Sequence, residues 1–101
     1  GLESFFRVAE PRADIVFLGA DAVDARGRLL VGTPEEARLT RAMLRAGRRA
    51  ILLADHTKTA GAGSVAYGTL ADVEQWITTP GIDAAALRRY RTMTTVTEAR
   101  P

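Results

Sequence analysis

Two apolar runs of this sequence each lead into polar residues that could bind a small molecule. The first run, residues 14–20, is followed by Asp21, and the second, residues 50–54, is followed by Asp55 and then Lys58. A carboxylate accepts hydrogen bonds from hydroxyl groups, and a lysine ammonium attracts phosphate or carboxylate groups as a point charge. The two places together therefore favour a ligand with hydroxyls and an anionic group. A turn-capping aspartate and an exposed surface lysine are the alternatives.

The elements between these residues predict that Asp21 and Lys58 share one crevice. Both runs are continuous and aliphatic, which is typical of parallel strands buried on both faces. A helical segment at residues 34–46 lies between them, so we predict a β-α-β unit with a right-handed crossover. The carboxyl ends of both strands then lie at the edge where open α/β sheets bind ligands.

The central helix has clear start and stop signals. Thr33 is the expected N-cap, Pro34 the first helical residue, and Glu36 the partner that closes a capping box. Gly47 is expected to end the helix. The capping role alone is enough to explain why a glutamate stands at position 36. Ligand binding would be a second role of Glu36. The apolar stripe predicted to face the sheet consists of Leu39, Ala42, Met43 and Ala46.

The rest of the chain completes a single α/β domain over residues 1–101, with an open, mainly parallel, Rossmann-like sheet and flanking helices. Residues 4–10 are compatible with a helix or a strand. Turn-like residues at 24–28 precede the central helix. The remaining predicted elements are strands at 65–69, 74–78 and 94–97, a helical turn near 71–73, and a helix from Asp83 to Arg91.

Composition excludes several classes of protein. The chain has no cysteine and one histidine, His56, so disulfide frameworks, thiolate metal sites and His-rich metal sites are excluded. We expect no cofactor. No apolar run approaches the roughly 20 residues of a membrane span, and the default compartment is the cytoplasm. The net charge of +2 is not that of a nucleic-acid-binding surface. An arginine row at helical spacing is expected to face solvent, with a subunit or nucleic-acid contact as the alternative: Arg38, Arg41, Arg45 and Arg48.

Four segments together resemble the C-terminal sensor domain of DeoR-family transcriptional regulators. They are DIVFLGAD at residues 14–21, EARLTRAML at 36–44, ILLADHTK at 51–58 and LADVEQWIT at 70–78. The resemblance covers about residues 12–98. It implies the fold of ribose-5-phosphate isomerase, of the isomerase/CoA-transferase type, and the binding of a phosphorylated sugar that switches an attached DNA-binding domain.

The resemblance also implies site residues and partners. The effector-binding residues, carried over by position, are Gly19, Asp21, Glu36, His56, Thr57 and Lys58. DNA would be contacted only through a winged helix-turn-helix domain outside this chain, and the protein is expected to be a homo-oligomer. The first part of the sensor, with a glycine-bearing loop for the phosphate, would also lie outside. The sheet would then be incomplete on its N-terminal side, and an exposed apolar edge would favour self-association.

Departures from the family and from related enzymes leave alternatives open. Ala22 stands where the family usually has glycine, and Thr40 stands where it usually has a basic residue. These two departures leave the identity of the sugar open but not the presence of the pocket. The related isomerase has carboxylates where Leu18 and Thr40 stand and a basic residue near Val31. Isomerisation needs a carboxylate base, so we expect no catalytic residue. The alternatives are an isomerase-like enzyme fragment, of ribose-5-phosphate or methylthioribose-phosphate isomerase type, and an interaction fragment without a ligand.

Overall fold

The computed structural model of the chain describes residues 14–100, and residues 4–10, for which helix and strand were both possible, lie outside that range. The strands are β1 (Ile15–Leu18), β2 (Ala22–Val23), β3 (Arg28–Val31), β4 (Arg49–Leu53), β5 (Val65–Thr69), β6 (Gln75–Thr78) and β7 (Thr95–Glu98). The helices are α1 (Pro34–Ala46) and α2 (Ala84–Arg91), with two short 3₁₀ helices, η1 (His56–Ala60) and η2 (Leu70–Asp72).

The larger sheet is parallel throughout and confirms the predicted fold class. Its strand order is β1-β4-β6-β7, and each neighbouring pair is parallel. In β1 and β4, Ile15 pairs with Arg49 and Leu18 with Leu52, with α1 between the two strands in the chain. The predicted β-α-β unit is therefore present, and the carboxyl ends of both strands lie at one edge.

A second sheet, antiparallel and three-stranded, was not predicted from the sequence except for β5. Its order is β2-β3-β5, with a register shift between Leu29 and Leu30 of β3. The turn predicted at residues 24–28 joins β2 to β3 as a hairpin. Strands of two and four residues are too short to show a recognisable alternation of apolar and polar residues, and for this reason the sequence did not reveal them.

The core lies on one face of the parallel sheet. The register places Leu18, Leu52 and Trp76 side by side on that face, and each is at most 3% exposed. The indole N–H of Trp76 donates to the Ala54 carbonyl at 2.8 Å, and its ring meets the Tyr90 ring edge-on, with centroids 5.2 Å apart. Burial of such large aromatic side chains contributes strongly to stability.

The expectation that the first two strands are covered on both faces is wrong for β1, whereas three consecutive residues in the middle of β4, Ala50 to Leu52, are buried as expected. Burial alternates along β1, where Ile15 is 41% and Phe17 is 56% exposed, and Leu53 of β4 is 47% exposed. The reason is that α1 and α2 pack on the face of Val16 and Trp76. Among residues 14–100, β1 is the end strand of its sheet, and the exposed Ile15 and Phe17 lie on one of its faces; the exposed apolar edge stays a prediction. Self-association stays a prediction.

The boundaries of α1 are as predicted, but the face that it buries differs. Thr33 Oγ1 accepts a hydrogen bond from the Glu36 N–H at 3.1 Å, and the helix ends at Ala46. Its one fully buried residue is Ala37, and Met43 and Leu44 also pack against the core. The other predicted stripe residues are half-buried: Leu39, Ala42 and Ala46.

The arginine row of α1 does not all face solvent. Arg41 donates to the β5 carbonyls of Ala66, at 2.8 Å, and Tyr67, at 3.2 Å. It thereby joins α1 to the antiparallel sheet, whereas Arg38, Arg45 and Arg48 are exposed as expected. In residues 14–100, no helix is both long and apolar enough to cross a membrane.

Candidate functional site

The loops that follow β1 and β4 meet at the carboxyl edge of the parallel sheet. Asp21 follows β1, and η1, which contains Lys58, follows β4. Gly61 ends η1 and lies directly against the first loop, since a Cβ at this glycine would overlap the backbone carbonyl oxygen of Asp21. The same Cβ would lie 3.3 Å from the Lys58 carbonyl oxygen. The backbones that carry Asp21 and Lys58 are therefore neighbours.

The start of α1 brings a second carboxylate to Asp21. A Cβ placed on Gly32 would lie 3.7 Å from Asp21 Oδ2 and 3.9 Å from Glu36 Oε1, so both carboxylates flank this glycine. The backbone N–H of Asp21 donates to the Leu30 carbonyl at 2.8 Å, which ties Asp21 to β3. Glu36 accepts from the Gly32 N–H at 3.4 Å, one residue before the Thr33 N–H expected in a capping box. This corner of the site presents hydrogen-bond acceptors.

The loop after β4 is organised by Asp55. One oxygen of this carboxylate accepts hydrogen bonds from the backbone N–H of Thr57, at 2.9 Å, and from the Thr57 hydroxyl. The other oxygen lies 3.5 Å from Lys58 Nζ. The hydrogen bonds from Thr57 hold the pKa of the Asp55 carboxyl below its usual range, with a smaller contribution from the Lys58 charge. Lys58 is the chain's only lysine, and its side chain is 37% exposed.

His56 faces a different part of the edge. Its backbone N–H donates to Thr79 Oγ1 at 3.0 Å, and its ring Nδ1 lies 2.7 Å from the same oxygen. The ring packs against Gly81, where a Cβ would lie 2.6 Å from it, and Gly81 has a φ of +131° that other residues rarely adopt. His56 thus links the loop after β4 to the loop after β6.

Gly19 is open on the side where a side chain would lie. Within residues 14–100, no atom other than those of the adjoining residues lies within 4 Å of the Cβ position at Gly19, so no described helix packs against this glycine. Its carbonyl oxygen accepts a hydrogen bond of 2.8 Å from the hydroxyl of Tyr67, which is 2% exposed. Burial raises the pKa of the Tyr67 phenol. The hydroxyl therefore stays protonated at neutral pH and acts as a donor.

Sequence reasoning did not assign a role to Asp55, Gly61 or Tyr67. The signal for Asp55 was present, because an aspartate two residues before a backbone N–H is a common capping arrangement. Gly61 and Tyr67 contact residues 40 or more positions away. Such contacts leave no local pattern in a single sequence.

The arrangement provides acceptors on one side and donors on the other. Asp21 and Glu36 can accept hydrogen bonds from hydroxyl groups, and Lys58 can donate to an anionic group. The N–H and the hydroxyl of Thr57 both donate to Asp55 in this structure. Among residues 14–100, no three His, Cys, Asp or Glu side chains are grouped so that they could hold a metal ion.

The comparisons with known proteins connect this arrangement to gene regulation. Residues 6–79 match the family described as DeoR C terminal sensor domain. The chain is 37% identical over 71 residues to the glycerol-3-phosphate regulon repressor of Haemophilus influenzae. These 71 residues are 70% of this chain and 28% of that repressor. The chain is 30% identical over 71 residues, with the same shares, to the HTH-type transcriptional regulator GlpR of Haloferax volcanii. The chain thus spans less than a third of the length of these relatives.

Proposed function

Because the chain belongs to the family of DeoR C-terminal sensor domains, we propose that it is the effector-binding portion of a transcriptional regulator. The effector is a small phosphorylated sugar or polyol. One relative is named a glycerol-3-phosphate regulon repressor, so glycerol 3-phosphate is the first candidate. The observation that carries the proposal is the contact between the loops of Asp21 and Lys58 at Gly61.

In the proposed complex, the phosphate binds at η1 and the hydroxyls bind near α1. Lys58 supplies the positive charge for the phosphate, and its contact with Asp55, at 3.5 Å, is long enough to be exchanged for a phosphate oxygen. Thr57 lies next to Lys58 on the same short helix, and His56, which is bound to Thr79, is proposed to border the phosphate from the side of the loop after β6. Asp21 and Glu36 accept from the ligand's hydroxyls, and the open backbone at Gly19 lets the carbon chain approach closely.

The whole protein is proposed to act on DNA through a separate domain. The names of the two relatives, a repressor and a helix-turn-helix regulator, support this division of labour. A sensor that switches DNA binding works in the cytoplasm of a prokaryotic cell, and we propose that the protein does so as a homo-oligomer. The exposed apolar side chains of β1, Ile15 and Phe17, support self-association.

An isomerase is the weaker candidate, and neither the matched family nor the named relatives favour it. Moving a proton between adjacent sugar carbons needs a carboxylate base where the related enzyme has one. Leu18, which is buried in the core, stands where that enzyme has a carboxylate, Thr40 stands near its helix glutamate, and the buried Val31 or a neighbour stands where it has a basic residue. We expect no isomerisation of ribose 5-phosphate above background. Turnover that Asp21→Asn abolishes would support the enzyme instead.

A calorimetric titration of the chain tests the proposed function. The ligands are glycerol 3-phosphate, inorganic phosphate and glycerol, and we expect affinity to fall in that order. Lys58→Ala is expected to weaken glycerol 3-phosphate binding by about 1.5–3 kcal/mol, the range for a hydrogen bond to a charged group. The matched control is Arg45→Ala, which removes an exposed cation from α1. Equal losses in both variants, or no binding of any phosphorylated ligand by the wild-type chain, would contradict the proposal.

A further inference from the structure

The two tyrosines of the chain hold the backbone on opposite sides of β2. The Tyr67 hydroxyl donates to the carbonyl of Gly19, before β2, at 2.8 Å. The Tyr90 hydroxyl lies 3.1 Å from the carbonyl of Asp24, after β2, and 3.4 Å from that of Val23. Both tyrosines are 2% exposed. Each buried hydroxyl thus finds an acceptor in a backbone carbonyl at the margin of the core, and an apolar side chain could not make this bond.

Only the Tyr67 hydrogen bond is made on the side of the site. Gly19 lies two residues before Asp21, and it has no side chain of its own to fix the loop by packing. The next restraint along the chain is the hydrogen bond from the Asp21 N–H to the Leu30 carbonyl. The segment that carries the Asp21 carboxylate is therefore held by one hydrogen bond at each end, and its middle residue, Ala20, packs in the core.

Tyr67 is itself held firmly, so that it can act as a reference point for this loop. Its backbone carbonyl accepts from the Arg41 guanidinium at 3.2 Å, which fixes β5 to α1. Its ring belongs to the core cluster that also contains Leu18 and Leu29. A phenol in this setting has little freedom to follow Gly19 if the loop moves.

We propose that Tyr67 is a positioning residue for the recognition of ligand hydroxyls. It holds the backbone of residues 19–21 so that the Asp21 carboxylate faces Glu36 across Gly32. The inference rests on the proposed function of the site. Tyr67 touches no ligand, and its effect is transmitted through the Gly19 carbonyl alone. It acts on the acceptor half of the site and leaves the phosphate-binding half, at η1, unchanged.

The test compares Tyr67→Phe with Tyr90→Phe, each of which removes one buried hydroxyl and keeps the ring. The probes are glycerol 3-phosphate and inorganic phosphate, titrated by calorimetry. We expect Tyr67→Phe to lower the affinity for glycerol 3-phosphate about fivefold, the effect of one typical hydrogen bond. Its affinity for inorganic phosphate is expected to stay within about twofold of the wild-type value. Tyr90→Phe is expected to leave both affinities unchanged.

Three results would overturn the inference. One is that Tyr67→Phe keeps the wild-type ratio of affinities for glycerol 3-phosphate and inorganic phosphate. Another is that Tyr67→Phe loses affinity for both probes equally, which indicates a general loosening of the fold. The third is the same change in Tyr90→Phe.

A ligand-free measurement separates this inference from the proposed function. Amide hydrogen exchange at Asp21 is expected to be several-fold faster in Tyr67→Phe than in wild type, and unchanged in Tyr90→Phe. If the wild-type chain binds neither probe, the proposed function fails, and this exchange rate still decides whether Tyr67 holds the loop. An unchanged rate would overturn the inference.

Discussion

The loops after β1 and β4 contribute to one candidate site but are held in different ways. Gly19 and Asp21, in the first loop, bond to residues distant in sequence, Tyr67 at 2.8 Å and Leu30 at 2.8 Å. In the second loop, Asp55 bonds to residues two and three positions further on. The acceptor half of the site is therefore a property of the tertiary fold. In the cationic half, the contact of Lys58 with Asp55 is local, although His56 in the same loop is bound to Thr79, 23 positions further on.

This difference has a consequence for binding. A locally organised loop can exchange its own hydrogen bonds for those of a ligand without disturbing the core, as proposed for Lys58 when it leaves Asp55. A loop held by buried tertiary bonds offers fixed acceptors, which favours selectivity among ligands with different hydroxyl geometry. We expect selectivity to depend on the first loop and phosphate affinity on the second.

Among the substitutions that test this difference between the two loops, Gly61→Ala is expected to change the free energy of unfolding most, because Gly61 lies where the loops touch. The new Cβ would overlap the Asp21 carbonyl oxygen, and neither backbone can yield cheaply. We expect a loss of about 1–3 kcal/mol in the free energy of unfolding, the usual cost of overpacking. Urea denaturation measures it.

Gly19→Ala is the matched control for that substitution. In the part of the chain that the structure describes, nothing beyond the adjoining residues lies within 4 Å of the Cβ position at Gly19, so the change in stability is expected to stay within about 0.5 kcal/mol. If Gly61→Ala were as stable as Gly19→Ala, the contact between the two loops would be refuted.

A smaller effect is expected at the start of α1, which carries Glu36 to the acceptor half. Thr33→Ala removes the hydroxyl that accepts from the Glu36 N–H and is expected to cost about 1 kcal/mol, typical of a lost N-cap. Thr40→Ala makes the same chemical change within the helix, where alanine is the better helix former, and is expected to cost nothing. Equal destabilisation of the two variants in urea would show that Thr33 does not act as a cap.

The smallest effect is a pH dependence in the second loop. The pKa of Asp55 is lowered in the folded protein by its hydrogen bonds from Thr57. The ionised carboxylate therefore stabilises the fold above the pKa of an unfolded aspartate, about 3.9, and this contribution is lost as pH falls through the lowered pKa. The stability difference between wild type and Asp55→Asn is expected to be constant from about pH 7 to 5 and to shrink below about pH 4. A difference that stays constant down to about pH 2 would exclude this role.

The difference between local contacts and contacts of distant residues also explains what could be predicted from the sequence. The apolar runs, the caps of α1 and the parallel pairing of β1 with β4 follow from local patterns, and the structure has all of them. The hairpin of β2 and β3 and the hydrogen bond from Tyr67 to Gly19 depend on contacts between distant residues. The exposed faces of Ile15 and Phe17 were not foreseen either, because an aliphatic run does not reveal which face of a sheet is covered.

The measurement that tests the account most directly is a comparison of Asp21→Asn with Lys58→Ala against glycerol 3-phosphate and inorganic phosphate. We expect Lys58→Ala to weaken the binding of both ligands, because both carry the phosphate. We expect Asp21→Asn to weaken only glycerol 3-phosphate, because asparagine keeps the size of the side chain but loses the charged acceptor for hydroxyls. Unchanged binding of both ligands in both variants would contradict the assignment of Asp21 and Lys58 to one site.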